Sequence, residues 1–130
     1  MTPTDITRAI NDLLFTPGLA LEEALDRHFA PDYRQRTNGA WSDRAAFAEH
    51  MARLRSLIGS GHVEVHEELR DGARYADRHT VTLTLRDGGT SRTEVYLFAL
   101  MAPDGRFRRV EETTLLIDGR PEDRNLGTIR

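Results

Sequence analysis

His79 sits in the run Tyr75-Ala76-Asp77-Arg78-His79-Thr80-Val81-Thr82-Leu83-Thr84-Leu85, whose alternation puts its imidazole on the same strand face as Tyr75, Asp77, Val81, Leu83 and Leu85. A core-facing imidazole can move a proton near neutral pH if a carboxylate orients it; the alternative is a buried ring bonded to a backbone carbonyl or a Glu. Glu111 and Glu112 are the carboxylates to weigh beside it. Neighbours on a strand point to opposite faces, so one of the two looks inward, and alternation alone leaves open which. A carboxylate in a mostly apolar pocket keeps its proton to higher pH and can serve as a general base, whereas one paired with Arg109 or Arg78 is structural.

Phenol and amide groups fix a ligand's oxygen atoms without ionising. Tyr33, Gln35, His50, Tyr75 and Tyr96 are therefore candidates for the rim or floor of a pocket, Asp77 and Phe98 extend that lining, and Trp41 is a candidate wall. Metal chemistry fits poorly. His62 and His66 lie four residues apart, which on a strand separates them by about 13 Å, too far to share one ion. There is no Gly-x-Ser-x-Gly elbow and no Gly-rich phosphate loop, so neither a metal nor a cofactor is expected.

Composition narrows the chemistry further. All 18 basic residues are Arg, which removes the amine that a Schiff base, a pyridoxal linkage or a phosphate-loop Lys requires. The chain has no Cys, hence no disulfide, thiolate nucleophile or thiolate metal site. With a net charge of −3 and scattered arginines, it offers no basic stripe for nucleic acid. No apolar run approaches the roughly 18 residues of a membrane span. Met1-Thr2-Pro3-Thr4-Asp5 lacks the basic and apolar regions of a signal peptide, so the expected location is cytoplasmic. A length of 130 residues fits one domain over 1–130.

The positioning elements follow from periodicity and turn residues. Thr4 or Asp5 can cap a first helix carrying Ile6, Ala9, Ile10, Leu13 and Leu14, stopped by Thr16-Pro17-Gly18. Leu21, Ala24, Leu25 and Phe29 mark a second helix, with Pro31 soon after its end. Tyr33 to Thr37 reads as a short strand leading through Asn38-Gly39 to Trp41. Ser42 can cap a third helix bearing Phe47, His50, Met51 and Leu54 and ended by Gly59-Ser60-Gly61. The period then changes from about 3.6 to 2. Asp71-Gly72, Asp87-Gly88, Asp104-Gly105 and Asp118-Gly119 punctuate the alternating stretches as an antiparallel meander. In its first strand Val63, Val65, Glu67 and Leu69 share a face; in its third both faces are apolar, Tyr96, Phe98 and Leu100 against Val95, Leu97, Ala99 and Met101. A second copy covering the outer face would make a homodimer through the sheet. The tail from Arg120 is polar and expected to be loosely held. Strands this long must bend, and a one-residue bulge would exchange the faces downstream of it.

This order of elements, together with Asp71-Gly72-Ala73-Arg74-Tyr75-Ala76-Asp77-Arg78-His79-Thr80-Val81, Asp104-Gly105-Arg106-Phe107-Arg108-Arg109-Val110-Glu111-Glu112 and the closing Asp118-Gly119-Arg120-Pro121-Glu122-Asp123-Arg124-Asn125-Leu126-Gly127, resembles the nuclear-transport-factor-2-like superfamily, and within it the SnoaL-like branch of small bacterial proteins. The resemblance implies an α+β cone, three N-terminal helices packed on a strongly curved, mostly antiparallel sheet around a pocket. It also implies a choice of chemistries, since the superfamily contains ketosteroid isomerases, polyketide cyclases, epoxide hydrolases, dehydratases and proteins that only bind. The isomerase pattern needs a Tyr on the first helix and a carboxylate near the short strand; this chain has no Tyr on that helix and Arg34, Gln35, Arg36, Thr37 and Asn38 after Tyr33. The Asp-Arg-Asp set of the epoxide hydrolases finds only Asp77, Arg109 and Glu111. The cyclase pattern, an acid/base carboxylate on the last strand with a sheet His, is met by Glu111 or Glu112 with His79. Two functions therefore stand: a module binding an apolar, oxygen-bearing small molecule, and a cofactor-independent cyclase or isomerase acting beside a carbonyl.

Overall fold

The computed structural model describes residues 2–127 and 129. Helix α1 (Ile6–Ile10) starts where the Asp5 carboxylate accepts the Arg8 N–H at 2.8 Å, and it passes without a break into a π-helical turn, Asn11–Phe15. The carbonyls left over at that widened end are taken by one side chain: the Arg55 guanidinium donates to Leu13 O at 2.6 Å, Asp12 O at 3.1 Å and Leu19 O at 2.9 Å. Helix α2 (Leu21–His28) buries Ala24 and Leu25 and runs straight into strand β1 (Phe29–Thr37). Phe29 and Pro31 therefore belong to a strand, and Pro31 falls where the pairing of β1 with its neighbour is interrupted, between Phe29 and Arg34.

Asn38 and Gly39, both at positive φ, turn the chain into β2 (Ala40–Asp43). Because Ser42 pairs with Gln35 in that hairpin, the cap of α3 (Arg44–Leu57) is Asp43, whose carboxylate accepts the Ala46 N–H at 2.9 Å. Helix α3 ends at Leu57, but Gly59-Ser60-Gly61 does more than stop it: these residues already belong to β3 (Ile58–Asp71). At Gly61 the strand passes so close to its surroundings that a Cβ would stand 2.5 Å from Thr82 O and 2.6 Å from the Phe15 ring.

Strands β3, β4 (Arg74–Leu85), β5 (Thr90–Met101) and β6 (Phe107–Asp118) form the expected antiparallel meander, and β1 joins it parallel to β6, giving the order β2-β1-β6-β5-β4-β3. Gly72, Gly88 and Gly105 reverse it at positive φ; Gly119 ends β6 and leads instead into a short 3-10 helix, Pro121–Gly127. Two bulges set which residues face inward. An extra residue in β3, between Val65 and Glu67, exchanges the faces: Val63 and Val65 pack against the core, yet Leu69 is 71% exposed and Glu68 turns in to Tyr75. The second bulge, at Arg108, puts Phe107 on the same side as Val110 and Glu112.

Helices and tail pack on the concave face, where Phe29, Tyr33, Phe47, Tyr75 and Phe107 close one end in an aromatic cluster, with ring centroids 4.7 Å apart for Phe29–Tyr33 and 5.6 Å for Tyr75–Phe107. The tail is not loose as its composition suggested. Asp123 is buried, its carboxylate accepts the Arg120 N–H at 2.9 Å, and Leu126 packs against the core. No helix among the described residues is long and apolar enough to cross a membrane.

Candidate functional site

Between α1, the π turn, α3 and the inner sheet lies a cavity of about 130 Å³. Its wall is apolar, with Ile6, Leu13, Met51, Val81, Val95 and Leu97 among its members, and its polar groups come from a few strand positions and from His50 of α3. Alternation explains the selection: Tyr33, Gln35 and Thr37 are successive inward positions of β1, as are Tyr75, Asp77 and His79 of β4, and Val110, Glu112 and Thr114 of β6.

On the β1–β6 side the polar groups form a chain. Tyr33 donates its hydroxyl to Gln35 Oε1 at 2.7 Å, the Gln35 amide donates to Thr37 Oγ1 at 3.0 Å, and Thr37 donates to Glu112 Oε1 at 3.0 Å. Burial among apolar side chains pushes the Glu112 carboxyl above its ordinary range; the Thr37 hydroxyl and the nearby His79 pull against that, and Asp77 adds to the rise. The Tyr33 phenol is also pushed up, by burial and by the Glu112 charge, so it stays a neutral donor.

On the β4 side His79 is buried, with Nδ1 2.7 Å from Asp77 Oδ1. A carboxylate at that distance assigns the proton to Nδ1 and leaves Nε2 as the free ring nitrogen of a side chain that lines the cavity. Asp77 is held in turn by Tyr75, whose hydroxyl lies 2.9 Å from Oδ2. Asp77, Leu97, Glu112 and Thr37 stand in one row across β4, β5, β6 and β1. Glu112 and Asp77 are thus two strands apart, roughly 10 Å at the backbone, with Leu97 and Val95 as the apolar floor between them.

The cavity brings together His79, Glu112, Tyr33, Gln35 and His50 from the residues singled out in the sequence. His50 reaches it from α3 and hydrogen-bonds through Nδ1 to the Ile129 carbonyl, fastening the tail beside Leu126 and Gly127, which border the cavity. Tyr75 and Asp77 stand behind His79 rather than in the lining. Glu111 is on the opposite face, 3.5 Å from Arg109 and 3.9 Å from Arg36. Tyr96 and Phe98 also lie on that outer face, and Trp41 is an exposed residue of β2 with Arg34 stacked 4.7 Å from its ring, bordering only a smaller hollow. Sequence reasoning overlooked Thr37, Thr114 and Leu126. Period two carried on from Tyr33 and Gln35 points to Thr37; nothing local points to Leu126. Among the described residues no three His, Asp or Glu side chains converge as metal ligands.

An α+β cone, with helices packed on the concave face of a curved, mostly antiparallel sheet, is the architecture of the nuclear-transport-factor-2-like superfamily. The chain belongs to its SnoaL-like domain family, whose profile matches residues 20–110. It is 29% identical over 108 residues to an uncharacterized protein of Schizosaccharomyces pombe, a match covering 83% of this chain and 82% of the other. A structure from Catenulispora acidiphila with a ketosteroid isomerase-like fold superposes with a TM-score of 0.63 at 18% identity, over 86% of this chain and 85% of that one. IdmH of Streptomyces antibioticus, a proposed polyketide cyclase, superposes with a TM-score of 0.58 at 17% identity, over 74% of this chain and 80% of its own. At these identities the structural likeness speaks for the fold.

Proposed function

We propose that this protein binds a small, apolar, oxygen-bearing molecule in the cavity and moves a proton next to its carbonyl, in the manner of a cyclase or isomerase. The observation that carries this reading is the opposition of Glu112 to the Asp77–His79 pair across the apolar floor of Leu97 and Val95. Glu112, whose basicity is raised by burial, takes the proton from the carbon beside the carbonyl. His79 Nε2, on the ring that Asp77 holds through Nδ1, gives a proton to the carbonyl oxygen, so an enol forms with both protons accounted for. Returning the Glu112 proton to a different carbon while the enol hydroxyl gives its proton back to His79 Nε2 isomerises the ligand; attack of the enol carbon on a second carbonyl, with the Glu112 proton passing to the new alkoxide and the enol proton back to His79, closes a ring. Tyr33, Gln35 and Thr37 orient Glu112 rather than the ligand, because each of their bonds is directed along the chain to its carboxylate. The chemistry so written uses side chains alone. The likeness to IdmH agrees with a cyclase-type reaction.

Size sets the ligand class. A cavity of about 130 Å³ is on the scale that admits a benzene-sized guest and is below the roughly 300–1,000 Å³ of drug-sized sites. The ligand is then a single ring or a short chain, not a polycycle. Deuterium incorporation beside the carbonyl of small cyclic ketones and β-keto esters in heavy water tests the reading, with the wild type compared to Glu112→Gln and His79→Gln. If no compound exchanges faster than in buffer, the catalytic role is abandoned; ligand-induced NMR shifts without exchange would leave a binding protein.

We also propose that two copies pair through the outer face of the meander, where Tyr96, Phe98, Leu115 and Ile117 are exposed.

A further inference from the structure

Behind the cavity wall the Asp77–His79 pair is extended by Tyr75 and Glu68, for which the proton transfer described above has no use. Tyr75 Oη lies 2.5 Å from Glu68 Oε2 and 2.9 Å from Asp77 Oδ2, and it accepts the Ile6 N–H at 3.3 Å. Asp77 Oδ1 then meets His79 Nδ1 at 2.7 Å. Tyr75 is 1% exposed, and Asp77 and His79 are buried, whereas Glu68 lies on the open end of β3 among exposed residues. The bulge in β3 is what turns Glu68 inward. The line therefore leads from solvent at Glu68 to the cavity at His79.

Counting protons along it gives a definite result. A phenol oxygen carries one hydrogen and two lone pairs, so it can donate once and accept twice. The Ile6 N–H uses one lone pair. Of the two carboxyl oxygens at bonding distance, Tyr75 can donate to only one, and the other contact is a hydrogen bond only if that carboxyl itself carries a proton. Two bare carboxylates pressed on one phenol would instead leave an oxygen–oxygen contact unbonded in a buried place, a costly arrangement.

We infer that Glu68, Tyr75, Asp77 and His79 form a proton relay holding one shared proton, with Glu68 as its solvent-side terminus and Tyr75 as the link that sets the charge facing His79. With the proton at Glu68, that carboxyl donates to Tyr75, Tyr75 donates to Asp77, and an ionised Asp77 supports a charged His79. With the proton at Asp77, Tyr75 donates to an ionised Glu68 and His79 loses its counter-charge. Turnover releases no net proton, because the enol gives its proton back to His79 Nε2; the relay instead sets, by where its shared proton lies, whether Asp77 faces His79 ionised or neutral. Glu68 and Tyr75 touch no ligand and are positioning residues. Besides these four groups, the charged neighbours are Arg70, whose guanidinium lies 4.7 Å from the Tyr75 ring, and Glu112 across the cavity from His79. The role of the relay in turnover rests on the acid/base reading of His79; its existence does not.

The test follows the imidazole of His79 by nitrogen NMR across pH in the ligand-free protein. Glu68→Gln places an amide where the protonated carboxyl stands and fixes the relay with Asp77 ionised, so the His79 midpoint should rise by about one pH unit, the scale at which linked sites titrate together. Tyr75→Phe should remove the dependence on Glu68, making the Glu68→Gln change silent in the double variant. Glu67→Gln, which removes a carboxylate paired with Arg78 on the outer face, should leave the curve unchanged. Superimposable curves for wild type and Glu68→Gln overturn the relay, as does an equal shift from Glu67→Gln. If Tyr75→Phe does not fold, the Glu68 and Glu67 variants still decide. Because no turnover is measured, a failed relay and a failed catalytic reading are separately visible.

Discussion

Thr37 and Glu112 are partners across the parallel junction of β1 with β6, and the Thr37 hydroxyl donates to Glu112 Oε1 at 3.0 Å. That bond opposes the effect of burial on the carboxyl. Thr37→Val keeps the shape and removes the donor, so Glu112 should hold its proton to higher pH and the acid-side limb of the exchange–pH profile, where the base ionises, should move upward. An unshifted profile in an active variant would show that Thr37 does not tune the base.

Glu112→Gln separates catalysis from stability. Exchange should fall by about 10²–10⁴-fold, the usual worth of a positioned base. Because the folded carboxyl titrates above its unfolded value of 4.5, the folded state binds more protons than the unfolded one between those two points, and wild-type stability falls as pH rises through that interval. The amide carries no such penalty. At neutral pH the variant should therefore be the more stable by about 0.5–2 kcal/mol, the range common for relieved functional sites, and the advantage should vanish below the unfolded value. Urea melts at acid and neutral pH measure both halves.

Gly61→Ala should destabilise by about 1–3 kcal/mol, as overpacked sites do, since its methyl group would stand 2.5 Å from Thr82 O and 2.6 Å from the Phe15 ring. The chemical-shift changes should reach the π turn, because Phe15 must move to make room. A urea midpoint equal to wild type would contradict the close packing of β3 on that turn.

Phe98→Asp tests the proposed pairing. Phe98 is 72% exposed in the single chain, so a charge there costs the monomer little but would lie inside a sheet-to-sheet interface. Sedimentation should give twice the chain mass for the wild type and the chain mass for the variant. A wild type already at 14.7 kDa removes the dimer.

Much of this architecture was legible in the residue order. The Asp-Gly steps fixed three reversals of the meander because Gly72, Gly88 and Gly105 supply the positive φ that each turn needs. Strict alternation from Tyr75 to Leu85 placed His79 and Asp77 on the inner face, and β4 carries no bulge that could undo it. What the chain could not state locally is where pairing slips. The bulges at His66 and Arg108 depend on how β3 and β6 meet their neighbours, and they decide that Glu68 turns in, Leu69 turns out and Glu112 rather than Glu111 lines the cavity. The polar tail was misread for a related reason. Its anchors are Asp123 to its own backbone and Ile129 to His50, and the second joins residues 79 apart in sequence, a separation to which periodicity is blind. Local patterning thus determines which face of a strand each residue would take, while cross-strand register, a property of two strands at once, determines which of those faces becomes the site.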